Sequence, residues 1–387
     1  MSFLSRADDS LLGQWWWTID RQLLFTIFSI MGLGVILVAT ASPPVATRIG
    51  LDQYHFLLRH FILLVPAIVI MLAVSLLNLR YIWRLSSIIF AASIFLLIYV
   101  LLFGMEIKGA QRWIHLPGFS LQPSEFIKPA FIVVTAWLIA LRKEKENFPV
   151  MKIIAGLYAF VAFLLLSQPD LGMTFVVTAC LMSVVFLAGL PLRIVAVLMG
   201  TGILALVIVY LTFPHVQSRI DRFVNPEIGD TYQMDQSLNA FRAGGVFGAG
   251  PGQGEVKLSL PDAHADFVFS VAGEELGLIL TTLIVLLYLY VLYRGFNILY
   301  ERDNLFVILA TGGLLTMFGL QAFIHMGSAL QLLPAKGMTL PFLSYGGSSL
   351  LSMSLSMGMV LGLTRKHSDQ TIVKRSAYIK KVDKAVI

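Results

Sequence analysis

Charged residues are scarce in this sequence: Asp, Glu, Lys and Arg together make up 13% of its 387 residues, whereas 57% are hydrophobic. Soluble domains carry about a quarter charged residues. A chain of this length and composition would leave too much apolar surface in contact with water, so the scarcity of charge excludes an ordinary soluble protein. The composition predicts that lipid is the solvent for most of the chain.

Cysteine is almost absent. The single cysteine, Cys180, lies inside an apolar run, which excludes a disulfide within one chain and a cysteine metal cluster. We interpret it as a small buried hydrophobic residue. The pattern of a cleavable signal peptide is also missing, because residues 1–20 are polar and end in a tryptophan cluster. The apolar run that follows is expected to act as an uncleaved membrane anchor.

Ten apolar stretches are long enough, or nearly so, to cross the hydrocarbon core as helices. They lie at about 22–41, 57–77, 82–103, 123–141, 152–168, 172–190, 193–213, 264–293, 304–326 and 344–364. We therefore predict an all-α polytopic membrane protein with about ten transmembrane helices. Its parts are an amino-terminal segment (1–21), a membrane domain (22–364) with a long outer loop between spans seven and eight (214–263), and a basic tail (365–387).

The distribution of positive charge predicts which side of the membrane each loop faces. With the amino terminus inside, most lysines and arginines fall in inner loops and in the tail, as the positive-inside rule requires. An even number of spans then places both termini in the cytoplasm. The net charge of +6 is a consequence of this topology, with the tail in reach of anionic lipid. Nucleic-acid binding is disfavoured.

Ionisable residues inside predicted spans indicate function or a specific pairing, because a charge within the bilayer is costly. Glu125 and Lys128 share a helix face, where they either neutralise each other for insertion or organise a polar cavity. Asp170, at a tight outer turn, either caps the next helix or has a functional role. Glu274 and Glu275 lie inside the eighth span, where at least one is expected to meet a cation or a polar cavity, and Lys128 is a candidate partner.

The long outer loop contains a glycine-rich run, Gly244–Gly254, which either cradles phosphate through its amides or forms a re-entrant turn. It matches neither a Walker loop nor a dinucleotide-binding turn. Asp266 follows at the water–membrane boundary with His264 beside it. Partial desolvation would suit Asp266 to act as a general base. The alternative is that Asp262 or Asp266 is an N-cap of the next helix or an acid in its first turn that the helix dipole stabilises. The loop's basic residues either bind an anionic substrate such as a pyrophosphate or are ordinary solvated charges: Arg219, Arg222, Arg242 and Lys257.

Several motifs follow one another along the chain: Lys108-Gly-Ala-Gln-Arg-Trp-Ile114, Gln122-Pro-Ser-Glu-Phe-Ile-Lys128, Gln168-Pro-Asp-Leu-Gly172, Gly244-Gly-Val-Phe-Gly-Ala-Gly250, His264-Ala-Asp-Phe267, Glu274-Glu-Leu-Gly277, Pro334-Ala-Lys-Gly-Met-Thr-Leu-Pro341 and Ser344-Tyr-Gly-Gly-Ser-Ser349. Together they resemble the SEDS family, the shape, elongation, division and sporulation proteins, and its division branch more than its elongation branch. The chain departs from the family pattern at Ala265, where Thr is usual, and at His325, where Asn is usual, which leaves the local hydrogen bonding at both positions open.

The resemblance implies a ten-span enzyme that polymerises lipid II, a disaccharide-pentapeptide on undecaprenyl pyrophosphate, into glycan strands. Asp266 matches the family's loop aspartate and is expected to deprotonate the acceptor's sugar 4-hydroxyl, with inversion at the donor's anomeric carbon. The Glu125–Lys128 pair matches the family's intramembrane charged pair and is expected to shape the cavity. The remaining candidates for substrate binding or cavity organisation are Arg112, Asp170, His264, Arg219, Arg242, Gln233, Lys336 and Ser348.

The leaving pyrophosphate needs charge compensation, which outer-loop arginines including Arg112 or a divalent cation, Mg²⁺ or Mn²⁺, would supply. The resemblance also implies a class B penicillin-binding protein as transpeptidase partner, other divisome membrane proteins, and a place at the septum in the bacterial inner membrane. Two alternatives stay open: a lipid II flippase, which would need a polar path through the bilayer midplane, and a non-catalytic scaffold that recruits the transpeptidase. Most spans are uniformly apolar and the charges cluster near their outer ends, which favours the polymerase over the flippase.

Overall fold

The computed structural model describes residues 10–106, 111–116, 119–142, 148–189, 232–334 and 337–366, together with residues 200, 211 and 217. The helices are α1 (Leu11–Thr18), α2 (Arg21–Arg48), α3 (His55–Ser75), α4 (Leu79–Phe103), α5 (Pro123–Arg142), α6 (Val150–Ser167), α7 (Leu171–Leu187), α8 (Tyr232–Gly244), α9 (Val268–Tyr300), α10 (Leu305–Ala329) and α11 (Gly347–Leu363). Strands β1 (Ile114–Leu116) and β2 (Phe119–Leu121) form a small antiparallel hairpin.

The polytopic all-α prediction is confirmed. In the described ranges, seven helices are long and apolar enough to cross a membrane, and α7 and α11 are shorter apolar helices. These nine helices match the predicted spans except the seventh. That span, 193–213, lies outside the described residues apart from positions 200 and 211, so the total of ten stays a prediction.

Helix α5 occupies the centre of the bundle. In its most apolar stretch 78% of the residues are buried, against 22–28% in α3, α4, α6 and α9. The less buried helices turn apolar side chains outward, as expected for surfaces in contact with lipid tails. Because α5 carries Glu125 and Lys128, its central position brings both charges into the protein interior.

Four parts of the chain meet at one end of the bundle. Arg294 of α9 pairs with Asp20 at 2.6 Å. Arg365, just after α11, donates to the Thr18 hydroxyl at 3.0 Å and to the carbonyl of Leu76 at 3.1 Å. The described residues nearest both termini therefore lie at the same end, as an even number of spans requires. That this end is cytoplasmic stays a prediction.

Helix α9 is broken at Gly277, whose φ of 69° and ψ of −178° are not helical. A side chain at Gly277 would clash with the backbone of Gly248. The glycine-rich run enters the break. The amides of Ala249 and Gly250 donate to the carbonyls of Glu274 and Glu275, both at 2.9 Å, and the α9 amides of Leu278 and Ile279 donate to the carbonyls of Gly245 and Val246 at 3.0 and 3.3 Å. The run is therefore a re-entrant packed turn, and these amides are not available to cradle phosphate.

Helix α8 was not predicted, because its segment is short and polar. It packs against α9 through Phe241, whose ring lies 5.5 Å from that of Phe269. The Ser237 hydroxyl lies 2.5 Å from that of Ser270 and donates to the Ala329 carbonyl at 2.6 Å. The apolar residues Met234, Leu238 and Phe241 recur at helical spacing, and this signal indicates the helix.

Candidate active site

Asp266 lies in a series of turns between a short 3-10 helix (Val256–Leu258) and α9. Its amide donates to the carbonyl of Asp262 at 3.0 Å. The N-cap residue of α9 is Phe267, which makes no side-chain cap hydrogen bond. Neither Asp262 nor Asp266 therefore occupies the N-cap position, and stabilisation of either acid by the helix dipole stays a prediction.

The segment that carries Asp266 rests on α2 through a small apolar cluster: Ala41, Val45, Leu260, Ala263, Phe267 and Val271, with Phe56 packed against it. Leu260, Ala263 and Phe267 point toward α2 at roughly helical spacing. Asp262 is consequently exposed and Asp266 half-buried. The apolar residues of the segment thus attach it to α2, and Asp266 lies at the surface of the bundle.

A second stretch of chain approaches Asp266 after α10. A methyl group placed on Gly337 would lie 3.2 Å from Oδ2 of Asp266. Gly337 has a φ of +61°, in the left-handed region that favours glycine. The absence of a side chain therefore allows the backbone at Gly337 to lie against the carboxylate of Asp266.

His264 is buried among aromatic rings. Its ring centroid lies 4.3 Å from that of Phe56 and 5.1 Å from that of Tyr345, and its carbonyl accepts the Tyr345 amide at 2.9 Å. Burial lowers the pKa of His264 to about 4, so the imidazole is neutral near pH 7. Burial raises the pKa of the Tyr345 phenol, and the nearby charge of Arg59, a residue that the sequence did not single out, acts in the opposite direction. His264 therefore packs the site and does not supply a positive charge.

The predicted Glu125–Lys128 pairing is present as an ion pair of 2.9 Å, with side chains 6% and 1% exposed. Ser352 of α11 donates to the carbonyl of Glu125 at 2.7 Å. Ser348, one turn earlier, accepts the Gln122 amide and donates to the carbonyl of Ser120, both at 3.0 Å. Helix α11 thus fixes the start of α5, and the role of Ser348 in substrate binding or cavity organisation stays a prediction.

Arg112 and Asp170 lie together at the turn between α6 and α7. Arg112 Nε is 3.8 Å from Asp170 Oδ2 and donates to the Gln168 carbonyl at 3.1 Å, and the guanidinium also donates to the Pro169 carbonyl. Asp170 caps α7 by accepting the Met173 amide at 3.3 Å. Burial raises the pKa of Asp170, against the opposing fields of Arg112 and Lys128. The capping interpretation of Asp170 is thus confirmed, and Arg112 is its ionic partner.

The prediction that Lys128 would pair with the acids of the eighth span is wrong. Lys257 is buried and pairs with Glu275, because the glycine-rich turn carries the following segment onto the break in α9. The same contact contradicts the interpretation of Lys257 as a solvated or substrate-binding charge. Glu274 accepts the amides of Val256 at 2.6 Å and of Lys257 at 2.9 Å.

The other residues predicted to bind substrate or organise the cavity are either exposed or outside the described part of the chain. Gln233 and Arg242 are exposed on α8. Arg219, Arg222 and Lys336 lie outside the described residues. Across the described ranges, no three His, Cys, Asp or Glu side chains come together as a metal site, so no residues are assigned to hold a cation.

Comparison with known proteins gives one consistent result. Residues 21–369 match the family described as cell cycle protein and named for FtsW, RodA and SpoVE. The chain is 41% identical over 363 residues to a probable peptidoglycan glycosyltransferase FtsW of Caulobacter vibrioides, covering 94% of this chain and 93% of that relative. It is similar to a solved chain described under structural coordination of polymerization and crosslinking by a peptidoglycan synthase complex, with a TM-score of 0.75, 29% identity and coverage of 89% and 97%. The rod shape determining protein RodA of Thermus thermophilus matches with a TM-score of 0.66, 29% identity and coverage of 90% and 97%.

Proposed function

The chain belongs to the cell cycle protein family of FtsW, RodA and SpoVE, and we propose that it is a peptidoglycan glycosyltransferase that polymerises lipid II. This is the family that its motifs resemble. The observation that carries the proposal is the placement of Asp266: a half-buried carboxylate, held on an apolar base at one end of a membrane bundle and bordered by Gly337. A carboxylate in such a place can meet the sugar part of a substrate whose lipid tail stays in the bilayer.

In the proposed reaction, Asp266 takes the proton of the acceptor's 4-hydroxyl. The acceptor oxygen then forms a bond to the anomeric carbon of the donor sugar as the bond from that carbon to the pyrophosphate oxygen breaks. One in-line displacement of this kind inverts the anomeric configuration, as in inverting glycosidases. The undecaprenyl pyrophosphate leaves with its electron pair, and Asp266 releases the proton to water.

The departing pyrophosphate requires positive charge nearby. Arg112 is a candidate with about a third of its side chain exposed (32%), although it already donates to backbone carbonyls at the α6–α7 turn. A divalent cation carried by the pyrophosphate itself is the other candidate. Loss of activity in chelator, recovered by Mg²⁺ or Mn²⁺, would support the cation, and unchanged activity in chelator would favour arginine.

We further propose that the end of the bundle containing Asp20 and Arg365 is cytoplasmic, because the basic loops and tail favour the inner side. Asp266 then faces the outer side of the bacterial inner membrane. The partner is expected to be a class B penicillin-binding protein at the division septum, together with other divisome proteins. The similarity to a chain of a peptidoglycan synthase complex supports a transpeptidase partner.

The test is lipid II polymerisation by the full chain reconstituted with such a transpeptidase. Asp266→Asn removes the base with almost no change in shape and should reduce glycan synthesis by about a hundredfold or more, since a general base contributes roughly 10²–10⁴ in rate. Asp262→Asn is the matched control, because Asp262 is exposed in the same turn and asparagine tolerates its φ of +49°. Equal synthesis by both variants would contradict the role of Asp266, and lipid II scrambling by an inactive Asp266→Asn protein would favour transport.

A further inference from the structure

We propose that Lys257 is a positioning residue for the reaction. With Glu274, Glu275 and the carbonyl of Thr40 it forms a buried group, the Lys257 cluster, that fixes the segment bearing Asp266 to both α2 and α9. The inference rests on the proposed function, because the Lys257 cluster would act by setting the position of the Asp266 carboxylate.

The carbonyl of Thr40 on α2 is free to accept a hydrogen bond from Lys257 because a proline follows it in the helix. In a regular helix the carbonyl of Thr40 would accept the amide of the residue four positions later, but that residue is Pro44, which has no N–H. The Thr40 oxygen is therefore left without its intrahelical donor. Lys257 Nζ donates to this oxygen at 3.1 Å, so the ammonium group occupies a site that the helix itself leaves open.

The two acids hold the same segment in different ways. Glu275 pairs with the ammonium of Lys257, and the two side chains are 1% and 4% exposed. Glu274 accepts the backbone amides of Val256 and Lys257. A methyl group on Gly254 would lie 2.8 Å from the Glu274 carboxyl, so glycine is needed for this approach. Adjacent helical residues point about 100° apart, and the segment engages both because it folds over the break at Gly277.

The constraint continues from the Lys257 cluster to Asp266. Arg48, at the end of α2, donates to the carbonyls of Leu258 and Leu260. Leu260 and Ala263 are fully buried in the apolar cluster on α2. Asp266 follows directly, with its amide bonded to the Asp262 carbonyl. The chain from Lys257 to Asp266 is thus anchored at successive points along its length.

Accurate placement matters for a general base, because it must be within hydrogen-bond reach of the proton it removes. A displacement of about 1 Å can reduce the rate by about a hundredfold. Folding stability alone is a weaker reason for the Lys257–Glu275 pair, since buried ion pairs can often be replaced by apolar residues without loss of stability. The Lys257 cluster is therefore better explained as a device that sets geometry.

The experiment uses Lys257→Met together with Glu275→Gln, which removes both charges and leaves none buried without a partner. Lys152→Met is the matched control, because Lys152 is exposed on α6. Full-length protein reconstituted with its transpeptidase is examined by hydrogen exchange of the 256–266 amides and by steady-state kinetics with lipid II. In the double variant we expect exchange about tenfold faster or more and kcat lower by about tenfold or more, with KM within about twofold. The control should match the wild type in all three.

Unchanged exchange over 256–266 in the double variant would overturn the inference. Faster exchange with unchanged kcat would also overturn it, because the Lys257 cluster would then hold the loop without positioning the base. A different result would contradict the proposed function: normal lipid II polymerisation by the Asp266→Asn protein. The exchange measurement does not depend on turnover, so it reports on the Lys257 cluster even in that case.

Discussion

Gly337 lies directly against the carboxylate of Asp266, and a methyl group at Gly337 would come within 3.2 Å of Oδ2. These residues are far apart in sequence, on segments that precede α9 and follow α10. Their proximity brings the Gly-Met-Thr-Leu-Pro segment that begins at Gly337 to the candidate base, although neither segment carries a sequence signal that it meets the other. The φ of +61° at Gly337 explains why the motif has glycine at this position.

Gly337→Ala should therefore impair polymerisation. The new methyl group must either displace the Asp266 carboxylate or move the backbone, and we expect the rate to fall by about tenfold, equivalent to roughly 1.4 kcal/mol of barrier. Gly50→Ala is the matched control, because Gly50 also has a left-handed φ of +74° but nothing lies within 4 Å of the added methyl. Both variants carry backbone strain of about 1–2 kcal/mol, so thermal unfolding should shift similarly. Equal polymerisation by the two variants would contradict crowding of Asp266.

The Glu125–Lys128 pair allows folding and function to be separated. Glu125→Gln or Lys128→Met alone leaves a buried charge without its partner, which typically costs about 3–5 kcal/mol, so both single variants should unfold at lower temperature. The double variant should recover most of that stability, as measured by thermal unfolding in detergent. If the Glu125–Lys128 pair shapes the cavity, the double variant should polymerise lipid II poorly even though its stability is restored. Normal polymerisation by that variant would reduce the pair to an aid to membrane insertion.

The buried imidazole of His264 predicts a dependence of stability on pH. Its pKa is about 4 in the folded protein and 6.5 in the absence of burial. The folded state disfavours the proton, so stability is complete above pH 6.5 and is lost as the pH falls toward 4. The loss is on the order of 3 kcal/mol, since one pKa unit equals about 1.36 kcal/mol.

His264→Phe should weaken this dependence while preserving the packing against Phe56 and Tyr345. The Nδ1 atom of His264 makes no hydrogen bond with the described residues, so its replacement there breaks none. Unfolding temperatures of both proteins would be measured from pH 7.5 to 4.5. Parallel curves for the wild type and the variant would show that His264 does not cause the loss.

Local rules explain what the sequence predicted. A lipid core demands about 20 apolar residues per helix, and this rule located the nine described spans, although α2 and α9 each extend seven residues beyond the predicted end. The i,i+3 spacing on one helix was enough to predict the Glu125–Lys128 pair. Composition and depth also pointed to Asp266, but they left general base and helix cap equally weighted. The family resemblance was needed to choose between them.

Contacts between distant segments explain what the sequence did not predict. Lys257 meets Glu275 only because α9 breaks at Gly277 and admits the glycine-rich turn, and no periodic pattern indicates such an insertion. The contact of Phe56 with Tyr345, whose ring centroids are 5.2 Å apart, likewise joins α3 to the residues before α11. These pairings follow from the packed fold and have no local sequence signature.

Two buried serines on α11 provide a final test, which concerns the coupling of α11 to α5. Ser348 both accepts the Gln122 amide and donates to the Ser120 carbonyl, whereas the Ser354 hydroxyl makes no hydrogen bond with the described residues. Ser348→Ala leaves two backbone groups unsatisfied and should cost about 1–3 kcal/mol, with lower activity because α5 carries the Glu125–Lys128 pair. Ser354→Ala removes an unbonded hydroxyl and should be neutral or stabilising. Thermal unfolding and polymerisation of the two variants decide the matter: equal stability would mean that Ser348 does not fix the start of α5.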